Sequence, residues 1–418
     1  MTSKRVIILM AVCLSTLLVS CEASIDPLPI GMKSVPIDSN SSEITEDLSS
    51  PFVLPPSSSV ILPEPTENGS HTPPSDSSTS GSETPPPVVY VQPTPKKPDI
   101  SESLHILYAG DAMFDWSVKD AINQYGPDYP FLHIQSEIAQ ADFSFVNLET
   151  AVTLEKEKDT NQIYNFKSNP ESLTGLKNAG FDMVSVANNH SMDFLQKGFL
   201  DTLTHLNKAN LLYVGGGLNA QEAYRAKSVN LKGKSVKFLA FSRFIPTGDW
   251  FAGTNKPGIA QAYDRKPVLE AITREREGAD YVLVYLHWGV EMNNRPEAWQ
   301  REFAKQMIDA GADAIIGSHV HVLQGFEYYK GKPIAYSIGN FLFPDYVSGP
   351  KADTGLLHLK FDQGQIELSF QPFYIEKNQI VSKGTAYEEK QLAYLKSISY
   401  GVELEGQTIR PEIGYASK

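Results

Sequence analysis

Cysteine is almost missing from this chain. Cys13 and Cys21 are the only two in 418 residues, and both stand near the N-terminus, so no disulfide framework can hold the body of the protein together. An excess of basic charge is missing too. Lys and Arg number 36 against 49 Asp and Glu, for a formal net charge of −13. A chain of that balance offers no basic face, which argues against nucleic acid as a partner. No internal repeat is visible in the folded part, which starts near Leu104. The uncharged apolar run from Val6 to Val19 is about signal-peptide length and short for a membrane span. The length itself allows one large core plus extra segments.

The acid is unevenly placed. Residues 22–100 carry 11 Asp and Glu but 3 Lys, so −8 of the −13 falls there, and the compact part is only mildly acidic. That stretch is also rich in Ser, Pro and Thr, as in Pro55-Pro56-Ser57-Ser58-Ser59 and Thr84-Pro85-Pro86-Pro87. It cannot bury enough apolar surface to offset the entropy of ordering, and reads as a disordered tether, partly polyproline-like and extended. Upstream, Lys4 and Arg5 open residues 1–21 as an export signal. Leu18-Val19-Ser20-Cys21 resembles the bacterial lipobox. That resemblance implies cleavage before Cys21, lipidation of its sulfur, and a partner in the membrane itself: a lipid-anchored protein on the extracytoplasmic face of the cell membrane. An ordinary signal with a chance cysteine, or an uncleaved signal anchor, remain as alternatives.

The folded domain is expected over residues 101–375, with 376–418 as a C-terminal extension packing on it. His105–Ala109, Asp142–Asn147, Asp182–Ala187, Leu211–Val214, Val236–Phe241, Asp280–Leu286 and Ala312–Ile316 read as strands. The nearly all-apolar Asp280–Leu286 has the character of a buried central strand. Pro170–Ala179, stopped by Gly180, Gly198–Ala209 and Glu297–Ala310 read as helices. Pro333–Ile338, Leu356–Phe361 and Gln365–Phe370 add strands to the C-terminal half. Strands alternate with helices early and run together late. The expected fold is therefore α/β, with two packed sheets and helices outside: a four-layer αββα sandwich preceded by the tether.

Acids, amides and histidines recur at the ends of these strands. Asp111 follows the first strand, Glu149 the second, and Asn188-Asn189-His190 the third; His287 follows the central strand, and His319-Val320-His321 the next. Each has an ordinary structural reading: a turn at Gly110-Asp111, a helix cap at Glu149, turn-favouring asparagines, and a satisfied core histidine at 287. In this order, each at a strand mouth, they fit a two-metal hydrolytic site. Two ions about 3.5–4 Å apart need a bridging carboxylate and several neutral imidazoles. The oxygen and imidazole mix suits one or two divalent ions of Mn, Zn, Fe or Mg without choosing among them. Trp288 and Glu291 are candidates for a pocket wall. Asp193 is a candidate either to orient His190 or to cap the helix near Phe194.

The segments Gly110-Asp111-Ala-Met-Phe-Asp115, Asn147-Leu148-Glu149-Thr150, Ala187-Asn-Asn-His190, His287-Trp-Gly-Val-Glu291, Gly317-Ser-His-Val-His321 and Tyr336-Ser-Ile-Gly-Asn-Phe341 resemble the calcineurin-like metallophosphoesterase superfamily. They resemble more closely the CapA/PgsA family of poly-γ-glutamate capsule proteins. The superfamily pattern implies Glu149 as bridging carboxylate, Asp111 and His321 on one metal, and Asn189, His287 and His319 on the other. It implies His190 beside them as proton donor, with Asp193 in its support. Two positions depart from that pattern: Met113 stands where the superfamily has His, and Glu149 where it has Asp. The family and the lipobox together imply a membrane-anchored protein that supports synthesis or export of an anionic polymer, with a polymer synthase complex as partner. The same motifs leave two other functions open: a lipoprotein phosphodiesterase or phosphatase acting on phosphoesters, and a non-catalytic scaffold.

Overall fold

The computed structural model describes residues 103–415. The signal segment, Cys21 and the tether fall outside the described residues.

A ten-stranded sheet is built around Leu104–Ala112. On one side lie, in parallel, Phe143–Leu148, Met183–Ser185 and Leu212–Val214. On the other lie the antiparallel Asp353–Asp362 and Gln365–Glu376, then Thr408–Pro411 and Val402–Glu405. A six-stranded sheet has Tyr281–Trp288 at its centre, parallel to Lys234–Ser242 on one side and to Ala314–His319 on the other. Lys332–Ala335 continues this sheet in parallel, and Lys227–Leu231 and Phe326–Tyr329 close its edges antiparallel.

The two-residue period of a strand decides what faces what. In Tyr281–Trp288, Leu283 and Tyr285 point between the sheets and belong to the main core. Val282, Val284, Leu286 and Trp288 point outward, onto Val268 and Ile272 of the helix Arg265–Arg276 and onto Phe303 and Met307 of the helix Ala298–Asp309. Across the inter-sheet layer, Phe143 meets Phe238 at 4.9 Å between ring centroids, Phe145 meets Tyr285 at 5.1 Å, and Tyr281 meets Phe361 at 4.4 Å. The helices Trp116–Tyr125 and Glu171–Ala179 contribute Val118, Ile122, Leu173 and Leu176 to the core from the first sheet's side. The α/β sandwich expected from the sequence is the fold.

Boundaries differ from the sequence expectation where pairing extends a strand. His287 sits inside its strand, opposite Ser242 on one side and Ser318 on the other, because a doubly paired central strand continues as long as both neighbours do. His319 likewise ends its strand in register with Trp288. The helix Arg265–Arg276 was not expected: its sequence RKPVLEAITRER buries only Val268, Ala271 and Ile272, too narrow a stripe to read among so many charges. Residues beyond 376 add the strand Gln379–Val381, the helix Thr385–Ile398 and the two last strands of the first sheet.

Candidate metal centre

Parallel strands bring their carboxyl ends to one edge, where α/β proteins place ligands. Here two sheets share such an edge. Because Leu283 and Tyr285 face inward, His287 does as well, and it enters the gap between the sheets. There it meets Asp111, Asn147 and Glu149 from the first sheet's strand ends. His287, Asp111, Glu149 and His319 are all fully buried.

The residues fall into two groups that share one carboxylate. Glu149, His287 and His319 have ligand atoms within 4.8 Å of one another, and so do Asp111, Glu149 and His321. The Nε2 of His287 lies 2.6 Å from Asn189 Oδ1, 3.1 Å from His319 Nδ1 and 3.5 Å from Glu149 Oε1. Its Nδ1 faces the other way, 3.2 Å from Ser318 Oγ and 3.7 Å from Asp111 Oδ1. Asp111 is held by the side chain of Asn147, which donates at 2.7 Å, and by the backbone N–H of His319, which donates at 2.9 Å. All six residues expected as metal ligands thus come together.

Buried polar groups normally have partners. Among the described residues, both carboxylate oxygens of Glu149 and the Nε2 of His319 are buried and have no hydrogen-bond partner. Orphaned atoms at the point where two ligand groups overlap are what a cation-binding site without its ion would leave. The donor set, carboxylates, an amide oxygen and imidazoles, fits a hard or borderline divalent ion. The backbone is strained at the same point: His319 has φ 96° and His321 φ 59°, in the region non-glycine residues avoid.

Burial sets the electrostatics. Burial above all, then the negative charges of Asp111, Glu291 and Asp193, pushes the Glu149 carboxyl well above the ordinary range. Burial, then the neighbouring His287 and His321, holds His319 well below its ordinary value, and burial also lowers His287. Neutral imidazoles are the form that binds metal. Asp111 feels the same burial, but the adjoining rings of His287 and His321 outweigh it and keep the carboxyl below its usual range.

His190 stands beside this cluster. Its Nδ1 lies 2.8 Å from Asp193 Oδ2, and the same oxygen accepts the backbone N–H of Phe166 at 2.6 Å. Asp193 therefore orients His190 and ties the loop before Phe166 to it, rather than capping the following helix. Of the suggested pocket wall, Trp288 has no part: it faces outward onto the helices and donates to Tyr336 O at 3.0 Å. The even positions of that strand belong to the outer face, so the residue after His287 cannot share its side. Glu291 is exposed.

Met113 is fully buried in a small apolar cluster with Phe166, Phe343 and Val347, and its sulfur accepts from the Asp115 N–H at 3.2 Å. The position that would carry a third ligand in the superfamily pattern is here part of the packing.

Residues 105–345 match the family described as bacterial capsule synthesis protein PGA_cap. The chain belongs to that family. The "Capsule biosynthesis protein CapA" of Bacillus anthracis is 35% identical over 292 residues, covering 68% of this chain and 70% of that protein. The "PGA biosynthesis protein CapA" of Bacillus subtilis is 36% identical over 253 residues, covering 60% and 66%. Among solved structures, a hypothetical protein of Thermus thermophilus overlaps with a TM-score of 0.40 at 19% identity, covering 64% of this chain and 98% of that one. In this PGA_cap member the matched region holds every residue of the cluster, from Asp111 to His321. It also holds two amides whose roles sequence reasoning missed. Asn147 links Asp111, His287 and Asn188, from which it accepts at 3.1 Å. Asn340 lies with Oδ1 2.8 Å from His321 Nδ1, which fixes the orientation of that ring, and it is itself anchored by donating to Lys351 O. Both stand in the quoted motifs, but only the tertiary contact distinguishes them from turn asparagines.

Proposed function

We propose that this chain is a membrane-anchored, extracytoplasmic CapA-like protein that supports synthesis or export of an anionic capsule polymer, poly-γ-glutamate, through a divalent-cation site at Glu149. The observation that carries the site is Glu149: a buried carboxylate, without a hydrogen bond among the described residues, shared by two ligand groups. What supports the polymer is membership of the capsule family and likeness to the Bacillus relatives. What supports the anchor is the Lys4-Arg5 start, the Val6–Val19 run and Cys21.

Asp111 and His321 would hold one ion, Asn189, His287 and His319 another, and Glu149 both. Bound divalent ions would supply Lewis-acid charge for an anionic oxygen of the ligand. The protein's own residues supply the rest. Asn147 and Asn340 fix ring and carboxylate orientation, and burial keeps His287 and His319 neutral and ready to bind.

A second reading, phosphoester hydrolysis, is favoured by the His190–Asp193 pair, which is placed to hold and deliver a proton beside the cation site. The packing of Met113 away from that role favours a binding or scaffold function instead.

Elemental analysis of the purified full chain, with a screen of aryl phosphate esters under Mn and Zn, tests these readings together. Bound divalent metal that is lost in Glu149→Gln, together with loss of surface polymer when the gene is deleted, is the expected result. Metal-free protein after Mn or Zn loading, or unchanged surface polymer, would count against the proposal. Turnover abolished by His287→Ala would establish hydrolysis. For the anchor, Cys21→Ser is expected to release the protein from the membrane fraction; retention there would refute lipidation.

A further inference from the structure

An aromatic path leads from the cation site to the surface. The ring of Phe166 lies 4.2 Å from that of His190. Trp116 meets Phe166 edge-on at 5.3 Å, and Tyr164 stacks on it at 6.3 Å. Trp116 also touches Tyr164 at 6.1 Å and Tyr346 at 5.4 Å. The three outer rings are open to solvent: Trp116 is 42%, Tyr164 45% and Tyr346 54% exposed. Of these outer rings Tyr346 also feels the site: burial, then the charge of Glu149, pushes its hydroxyl up to about 12.

The cluster is built, not incidental. Trp116 has φ 52°, a conformation a bulky residue adopts only when its surroundings impose it. Asp115 imposes it: one carboxylate oxygen accepts the Trp116 N–H at 2.9 Å and the other accepts the Lys167 N–H at 2.7 Å. The same side chain thus fixes Trp116 and the residue beside Phe166. The lysines at its flank are engaged. Lys119 pairs with Asp115 at 3.8 Å, and Lys167 donates to Glu155 O at 2.7 Å. Three exposed rings beside a cation site call for a ligand that combines planar or methylene faces with an anionic group; a bare phosphate or a free metal ion has no use for them.

We infer that Trp116, Tyr164 and Tyr346 form a binding subsite that seats the amide and methylene faces of an anionic polyamide while one of its carboxylates reaches the cation site at Glu149. This rests on the polymer reading above. A γ-linked glutamate repeat has this alternation: a planar amide, two methylenes and one carboxylate.

The test uses the full chain in detergent, loaded with Mn, titrated with poly-γ-glutamate by calorimetry and by tryptophan fluorescence. Trp116 is the exposed tryptophan and its emission should change on binding. Tyr164→Ala with Tyr346→Ala should weaken polymer binding about tenfold and leave metal content unchanged, whereas Tyr346→Phe should bind as the parent does. If the parent binds the polymer and the double variant binds it equally well, the subsite lies elsewhere and the capsule reading stands. If the Mn-loaded parent does not bind the polymer, both fall. Binding of adenosine monophosphate in place of the polymer, lost in the double variant, would reassign the rings to a nucleotide and overturn the polyamide.

Discussion

Glu149→Gln is the perturbation whose outcome the structure fixes most tightly. Glutamine keeps the size and shape of the side chain and removes its charge. In metal-free protein the carboxylate has no hydrogen-bond partner among the described residues, sits beside Asp111, and is opposed by burial when it ionises. Removing the charge should therefore cost nothing, and the variant should melt at or above the parent temperature in EDTA. Cation binding reverses the order. A ligand that binds only the native state stabilises it by about 2.7 kcal/mol at a hundredfold excess over Kd. For domains of a few hundred residues each kcal/mol moves Tm by about 2–4 °C, so the parent should rise by about 5–10 °C on adding Mn. The variant should rise little, because Glu149 belongs to both ligand groups. Differential scanning calorimetry of both proteins, with and without Mn, reads all four values. A variant that melts several degrees below the parent in EDTA, yet gains as much from Mn, would refute the reasoning.

Asn340→Ala removes the acceptor that orients His321, and metal affinity measured by competition with a chelating dye should fall about 10–100-fold; unchanged affinity would show that His321 is not a ligand. Gly110→Ala would put a Cβ 2.0 Å from the carbonyl oxygen of Gly339, so the two segments must part; denaturant unfolding should show a loss of about 3 kcal/mol, and a loss near zero would contradict the close approach. His358, stacked on His105, is pushed down to about 4 by burial first and then by the charges of His105 and Lys360. The fold therefore favours its neutral form, a contribution present above pH 6.5 and lost as pH falls towards about 4, worth about 3 kcal/mol at most. Urea unfolding across that window should show the decline, and His358→Asn should flatten it; an equal slope in both would be inconsistent with this assignment.

Much of the site was legible because its residues sit where strong local signals end. The apolar run before His287 announces a central strand, and the register of that strand then fixes which way His287 points. Asp111, Glu149, Asn189 and the His319/His321 pair follow the same logic at neighbouring strand ends. What was not legible depends on contacts far apart in the chain. Asn147 and Asn340 look like any amide at a turn until His287 and His321 arrive beside them. Trp288 shares a motif with His287 but belongs to the opposite face. Trp116, Tyr164 and Tyr346 lie far apart in the sequence and give no periodic signal, so their convergence appears only in the fold. The amphipathic stripe of Arg265–Arg276 was masked by charge.

On this reading Glu149 joins two cation sites. An anomalous-difference map from crystals of the full chain grown with Mn tests it directly. Density is expected against Glu149, bounded by His287, His319 and Asn189 on one side and by Asp111 and His321 on the other. A map with no peak at Glu149, at Mn concentrations that saturate comparable oxygen and imidazole sites, would contradict it.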